Sequence, residues 1–365
     1  VSDAYADAGV DTGRAHEGVD ALVSVLSTID PGRPSLSALS SGHYASVLAI
    51  APGLGVALST DGVGSKLVVA ELAGRLDTVG VDCVAMNVND IVCVGAEPIA
   101  LLDYLAVERV DAGALGAIAA GLKRGAEDAG VEIPGGELAV LPDLIRGHPS
   151  PHGFDLCATA VGTVALDAIV TGADCRPGDA LVGLPSSGLH SNGYTLARRV
   201  LLDDGDLALT DRPPELGGAT VADALLEPTV IYVRAVLELL RGEVPVHGLS
   251  HITGDGVLNL LRLHASVGYE IDAPLPVPPI CALVCERGAI EPAEAYEVFN
   301  MGCGFVCVVP AERAAEAVQV LSRRHPGAAV IGHVSDHPGQ VELPGLGCSG
   351  DAAGLVARPA ARSRR

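Results

Sequence analysis

Leu58-Ser-Thr-Asp-Gly-Val-Gly-Ser-Lys66 places a carboxylate, two glycines, a hydroxyl and a lysine within six residues. A strand should end here and a helix begin, so the run predicts a strand–loop–helix unit of a mixed α/β chain. Asp61 offers oxygen to a hard cation. Gly62 and Gly64 let the backbone come close and turn its N–H groups toward anionic oxygens. Lys66 adds a point charge, and it is one of only two lysines among 23 basic residues. The combination suits a magnesium-bridged polyphosphate. The same residues also suit a tight turn with Lys66 as its solvated flank.

Outward from this run, strand-length apolar stretches alternate with longer amphipathic ones. Strands are expected at 55–60, 98–107 and 154–166, and helices at 65–76, 78–94 and 112–129. Glu132–Gly136 reads as the start of a connection. Asp174-Cys-Arg-Pro-Gly-Asp179 is a turn-rich break. It divides the chain into an N-terminal unit, 1–172, and a C-terminal unit, 173–344. Beyond the break, strands are expected at 180–184, 246–251, 302–309 and 328–335. Helices are expected at 192–203 (opened by a Ser/Asn cap), 221–240 and 311–325. Pro274–Pro279 reads as a linker, and 345–365 as a fraying tail.

The chain has 365 residues and 49% hydrophobic content, enough for two cores. Its net charge of −22 disfavours nucleic acid and anionic membranes as partners. No apolar run reaches a membrane span of about 18 residues, and no secretory signal is visible. Nine cysteines without a C-x-x-C pair fit scattered thiols in a reducing cytoplasm. In so acidic a chain, a polyphosphate site needs a metal ion, backbone N–H groups and a few placed cations.

Three further stretches carry polar groups suited to such a site. In the apolar helix expected at 78–94, Asn87, Asn89 and Asp90 need partners. A metal or phosphate shell is one, and a helix–helix hydrogen-bond network is the other. Gly135-Gly-Glu137 sets a third carboxylate after two glycines, so Asp61, Asp90 and Glu137 form the candidate metal set. Asn87, Asn89, Gly135 and Gly136 join 61–66 as candidate nucleotide contacts. The loop Gly183–Tyr194, with Ser187, Gly188, His190, Ser191 and Asn192, reads as an anion site at a helix start. His190 is the candidate acid/base, or else it caps its own loop. His251-Ile-Thr-Gly-Asp-Gly256 and Phe299-Asn-Met-Gly-Cys-Gly304 are similar loops, adding His251, Thr253, Gly254 and Asn300.

In this order, these runs resemble the phosphoribosylformylglycinamidine cyclo-ligase (aminoimidazole ribonucleotide synthetase) family. Tyr5-Ala-Asp-Ala-Gly-Val-Asp11, Asp77–Asp82, Gly95-Ala-Glu-Pro98 and Leu102-Asp-Tyr104 extend the match from Tyr5 to about Asp336. The Leu-Asp-Tyr and Ser-Ser-Gly-x-His-Ser-Asn-Gly-Tyr runs set it apart from thiamine-monophosphate kinase, selenophosphate synthetase and the hydrogenase-maturation dehydratase. The resemblance implies an N-terminal α/β domain that completes a β-barrel across a homodimer, and a layered C-terminal α/β domain. It implies ATP- and Mg2+-dependent closure of formylglycinamidine ribonucleotide to aminoimidazole ribonucleotide, with release of ADP and phosphate. Asp103 then becomes a candidate to orient the amidine, His251 the second acid/base candidate after His190, and Ser187, Gly188, Ser191 and Asn192 would hold the ribose phosphate.

The branch is divergent. Ser40–Ser46 stands where a glycine- and phenylalanine-rich loop is usual, Leu138 follows Glu137 in place of threonine, and Asp255 replaces a glycine. A small-molecule kinase of the same superfamily and a non-catalytic nucleotide-binding homologue are the alternative readings. The product separates them, because a kinase leaves phosphate on its acceptor.

Overall fold

A computed structural model describes residue 9 and residues 12–39, 42–263 and 265–357. Tyr5–Asp11, apart from Gly9, lies outside them, as do Ser40 and Ser41.

Helix α1 (Thr12–Leu26) precedes a unit of β1 (Ser46–Ala51), β2 (Leu54–Gly62), α2 (Lys66–Ala73), α3 (Val79–Cys93), β3 (Glu97–Val107), α4 (Ala112–Ala129), β4 (Glu132–Val140) and β5 (Phe154–Ala165). Its five strands run in the order β1-β2-β5-β3-β4. Side chains alternate along these strands. Ala57, Ser59, Ala158, Ala160 and Leu101 are buried on the inner face, against α3. Leu102 and Tyr104, on the other face, are exposed.

Helix α3 is apolar nearly all round because it is enclosed; Val84, Val88 and Ile91 are fully buried. It meets α4 through Gly80 and Gly121. A Cβ on Gly80 would lie 2.2 Å from the Leu122 nitrogen, and one on Gly121 2.4 Å from the Asp77 carbonyl. The Asp111 carboxylate caps α4 by accepting from the N–H groups of Gly113 and Ala114, and Gly130 closes it at φ 79°. Such a cap contributes about 1 kcal/mol.

The second unit holds β6 (Ala180–Pro185), α5 (Tyr194–Arg198, continued by a π turn to Asp203), α6 (Val221–Leu225), α7 (Val233–Leu240), β7 (Gly248–His251), a 3-10 stretch (Gly256–Arg262) and β8 (Gly268–Glu270). There follow α8 (Pro279–Arg287), α9 (Pro292–Val298), β9 (Cys303–Val309), α10 (Ala314–Ser322), β10 (Ala329–Ser335), β11 (Val341–Leu343), β12 (Cys348–Asp351) and β13 (Gly354–Ala357). Its eight strands run β13-β12-β11-β8-β10-β6-β9-β7.

Several expectations are corrected. The helix expected over 221–240 is two, because Pro228 lacks the N–H that a continuous helix needs. Helix α5 opens on Gly193, not on a Ser/Asn side-chain cap. Glu132–Gly136 belongs to a full strand, β4, rather than a connection. Pro279 is the first residue of α8, a position where its missing N–H costs nothing. The fraying expected from Gly345 does not hold as far as Ala357, since β12 and β13 extend the second sheet. All nine cysteines are free. Among the described residues, no helix is long and apolar enough to cross a membrane.

Candidate active site

Strand β2 carries Asp61 to the boundary between the two units. Asn87, on α3, accepts from the Asp61 N–H at 3.0 Å and donates to the Asp61 carbonyl at 3.1 Å. This pins the strand end to the helix. Burial pushes the Asp61 carboxyl up to about 6, and the neighbouring Asp90 charge adds to the rise. Gly62 N–H donates to the Asp61 carboxylate at 2.7 Å and partly opposes it.

One turn beyond Asn87, Asp90 meets the second unit. Its carboxylate lies 2.9 Å from His251 Nδ1, at the end of β7. The imidazole is fully buried, whereas the Asp90 side chain keeps 14% exposure. Asn89 Oδ1 accepts from the Tyr232 N–H, so its Nδ2 is the donor that faces His251 Nε2 at 3.4 Å. In the neutral ring this leaves the proton on Nδ1, directed at Asp90.

Asp61 and Asp90 are therefore brought together, but Glu137 is not. Asp61 pairs across β5 and β3 with Ala158 and Asp103, and then with Gly136 on β4. Glu137 falls in the next row, with Gly62, Cys157 and Tyr104. It therefore points to the opposite face of the sheet, about 14 Å away across three strand spacings of ~4.8 Å. The three-carboxylate set expected from sequence does not converge within one chain, because a one-residue offset in a strand reverses the face. Among the described residues, the grouping of three acidic or imidazole ligand atoms within 4.8 Å is Glu270, Asp272 and His333, on the second sheet.

Lys66 also departs from expectation. It is fully buried, and its ammonium donates to Asp82 Oδ1 at 2.9 Å and to the carbonyls of His190 at 2.9 Å and Glu227 at 2.7 Å. All three protons are used, so none remains for a triphosphate. Burial lowers its pKa, and Asp82 opposes this. Thr229 donates to the same Asp82 oxygen through its N–H at 2.8 Å and its hydroxyl at 2.6 Å. Lys66 is an internal tie between α2, α3 and the second unit.

Asn87 and Asn89 are likewise enclosed hydrogen-bond anchors rather than open nucleotide contacts. Asn89 Nδ2 also donates to the Val230 carbonyl at 2.9 Å. The segment after Pro228 thus receives the polar side chains of α3, which explains why the long helix must break there.

The loop from Ser186 to Gly193 is knit inward. Ser187 N–H donates to His190 Nε2 at 3.2 Å, and Ser187 Oγ donates to the Pro228 carbonyl at 2.6 Å. Ser191 Oγ meets Thr229 Oγ1 at 3.1 Å. Asn300 accepts from Ser186 Oγ at 2.7 Å and donates to the Gly188 carbonyl at 2.8 Å. Thr253 Oγ1 donates to Asn259 Oδ1 at 3.3 Å. Gly254 lies beside Asn192, whose Oδ1 would sit 3.4 Å from a Cβ there.

His190 sits at φ 61° and is 1% exposed. Burial first, then His251 and Lys66, hold its pKa well below the ordinary value. A sealed neutral ring that accepts from its own loop is no proton shuttle, so the acid/base expectation is corrected to a loop pin.

Of the run expected to face phosphate, Gly62 and Val63 have their N–H groups occupied, the latter by the Leu156 carbonyl at 3.0 Å. Among the described residues, the N–H groups of Gly64 and Ser65 take no backbone partner. Asp103 is half-buried, and desolvation raises its pKa. Gly136 makes room for it, since a Cβ there would fall 2.3 Å from Asp103 Oδ1; Gly135 faces open space.

Sequence reasoning missed Tyr44 and Arg262. The Tyr44 hydroxyl donates to the Asn259 carbonyl at 3.0 Å and meets Ser250 Oγ at 2.7 Å, while the Arg262 guanidinium lies 5.0 Å from its ring centroid. The available signal was a lone arginine after His251–Gly256 in an acidic chain.

A two-domain α/β protein with paired carboxylates facing an imidazole across the domain boundary is the class this geometry defines. A family model described as AIR synthase related protein, N-terminal domain, matches residues 42–164, and the matching C-terminal domain model covers 176–343. The chain is 46% identical over 352 residues to the phosphoribosylformylglycinamidine cyclo-ligase of Methanothermobacter thermautotrophicus, covering 96% of this chain and 99% of that one. It is 47% identical to the cyclo-ligase of Thermococcus kodakarensis over 92% of this chain and 96% of that one. Thiamine monophosphate kinase from Aquifex aeolicus shares the fold, with a TM-score of 0.58 at 18% identity over 90% and 96% of the two chains. So does a hydrogenase maturation protein HypE solved with ATP, with a TM-score of 0.57 at 21% identity over 79% and 81%. The chain belongs to the phosphoribosylformylglycinamidine cyclo-ligase family, and it is a C–N bond-forming ligase of purine biosynthesis.

Proposed function

We propose that this enzyme converts formylglycinamidine ribonucleotide to aminoimidazole ribonucleotide, consuming ATP with Mg2+ and releasing ADP and phosphate. The observation that carries the reading is the meeting of Asp61 and Asp90 with His251 at the domain boundary, in a chain 46% identical to a cyclo-ligase.

The formamide carbonyl is a poor electrophile. The bond from the γ-phosphorus to its bridging oxygen breaks, releasing ADP, while a new P–O bond forms to the formamide oxygen. The amidine nitrogen then attacks the formyl carbon and loses a proton, and the C–O bond breaks to expel phosphate. The chain positions the reactants and stabilises charge.

Asp61 and Asp90 fit a hard divalent cation. Both offer oxygen, and their mutual repulsion is what such an ion relieves. Bound there, Mg2+ supplies charge neutralisation at the phosphates. The open N–H groups of Gly64 and Ser65 point the start of α2 at an anion. His251 holds Asp90 in place from the other domain. Asp103 orients the amidine, and Asn192 with Gly254 faces the substrate.

The N-terminal unit, 1–172, is assigned the nucleotide, and the C-terminal unit, 173–344, the substrate. We assign the enzyme to the cytoplasm as a homodimer joined through the outer face of the first sheet. Leu102 and Tyr104, 48% and 38% exposed there, support that interface.

The test is incubation with ATP, Mg2+ and formylglycinamidine ribonucleotide, following aminoimidazole, ADP and free phosphate. Equimolar release of all three is expected. Phosphate retained on an acceptor would replace this reading with a kinase.

A further inference from the structure

Enclosure of Lys66 leaves the candidate site short of positive charge. A polyphosphate arriving at Asp61 and Asp90 meets two carboxylates in a chain of net charge −22. A divalent ion offsets part of this, and a cation with free donors must supply the rest.

Arg262 is placed to do so. It ends the 3-10 stretch that follows His251, so it comes from the second domain. Its guanidinium lies over the Tyr44 ring, 5.0 Å from the centroid. That ring is only 6% exposed and is held at its hydroxyl by the Asn259 carbonyl and Ser250, next to His251. One side of the guanidinium is therefore backed by a fixed aromatic surface, while the residue as a whole is exposed. Ser250 leads directly into His251, whose Nδ1 lies 2.9 Å from Asp90, so the stacked guanidinium and the Asp90 carboxylate are tied to the same strand end. Yet among the described residues Arg262 makes no ion pair and donates no hydrogen bond. A stacked guanidinium with an uncommitted fork of N–H donors is pre-organised for phosphate oxygens.

We propose that Arg262 is the cation that holds a phosphate group of the reactants against the Asp61–Asp90 pair. This rests on the cyclo-ligase reading above. The phosphate belongs either to the nucleotide or to the ribose of the substrate, and kinetics separates the two.

The experiment uses the full chain with Arg262→Gln and Arg262→Lys. Steady-state kinetics is measured by varying ATP and formylglycinamidine ribonucleotide separately. Calorimetry follows the magnesium complex of a non-hydrolysable ATP analogue. Arg262→Gln is expected to lose about a hundredfold in kcat/KM, with Arg262→Lys recovering only part because it lacks the fork. A loss confined to ATP, with weaker analogue binding, assigns the nucleotide phosphates. A loss confined to the other substrate, with analogue binding intact, assigns the ribose phosphate. Values within threefold of wild type for both substrates and for the analogue overturn the inference. If Arg262→Gln fails to fold, Arg262→Lys decides, with a tenfold loss supporting and a threefold limit overturning. A wild type that makes no aminoimidazole sinks the cyclo-ligase reading instead, and Arg262 is then judged on analogue affinity alone, which Arg262→Gln must weaken at least tenfold.

Discussion

Helix α3 presents two carboxylates to partners outside itself, eight residues apart, and their contacts differ in one respect. Asp82 and Lys66 are both fully buried, with every ammonium proton assigned. Asp90 and His251 form a pair of equal length, 2.9 Å, but Asp90 keeps 14% of its surface and has Asp61 beside it. Residue types alone rank Lys66 as the phosphate ligand. Enclosure reverses that ranking: a sealed pair organises the fold, whereas an open, crowded pair has reason to bind a cation.

The comparison breaks most readily at Lys66. Lys66→Met leaves Asp82 buried without its counter-ion and should cost about 3–5 kcal/mol, read from the urea midpoint. Replacing Asp82 by leucine as well should recover much of it. A variant with wild-type stability that loses Mg-ATP binding would reinstate Lys66 as a phosphate contact.

Asp61→Asn and Asp90→Asn should each lower kcat about a hundredfold, near 2.7 kcal/mol, while the chain still folds cooperatively. Turnover within threefold of wild type in both variants removes the metal assignment.

Asn89→Leu tests the anchor between the two contacts. It orphans the Val230 carbonyl and the Tyr232 N–H. A loss of about 1–3 kcal/mol is expected. No change in the urea midpoint would show that these bonds carry no stability.

The smallest effect concerns pH. The Asp61 carboxyl lies near 6 in the fold, above its usual value of 3.8. The metal-free native state therefore binds more protons than the unfolded chain between these values, and stability falls as pH rises through them. Above about pH 6 the full penalty stands, at most about 3 kcal/mol before solvent screening reduces it. Asp61→Asn should flatten this slope in urea titrations from pH 4 to 8. An unchanged slope would show that Asp61 titrates normally.

Much of the fold was legible locally. The ends of β2, α3 and α4 fall within a few residues of expectation, because strand alternation, apolar helices and the Asp111 and Gly130 caps are short-range signals. The break at Pro228 was readable from proline chemistry yet was overridden by the apolar periodicity on either side. Its purpose was not readable, since the non-helical backbone of 229–232 serves Asp82 and Asn89 from 140 or more residues earlier. Tyr44 and Arg262 meet across a still longer separation. The Asp90–His251 contact joined two residues each singled out in the sequence, whereas Glu137 failed on sheet register.

From its sequence alone, the chain determined its α/β pattern, its family and the residue types at its site, because these depend on neighbours along the backbone and on motif order. Tertiary structure alone decided which charges are sealed and which stay open. That depends on which surfaces two domains remove from water, a property no local stretch contains.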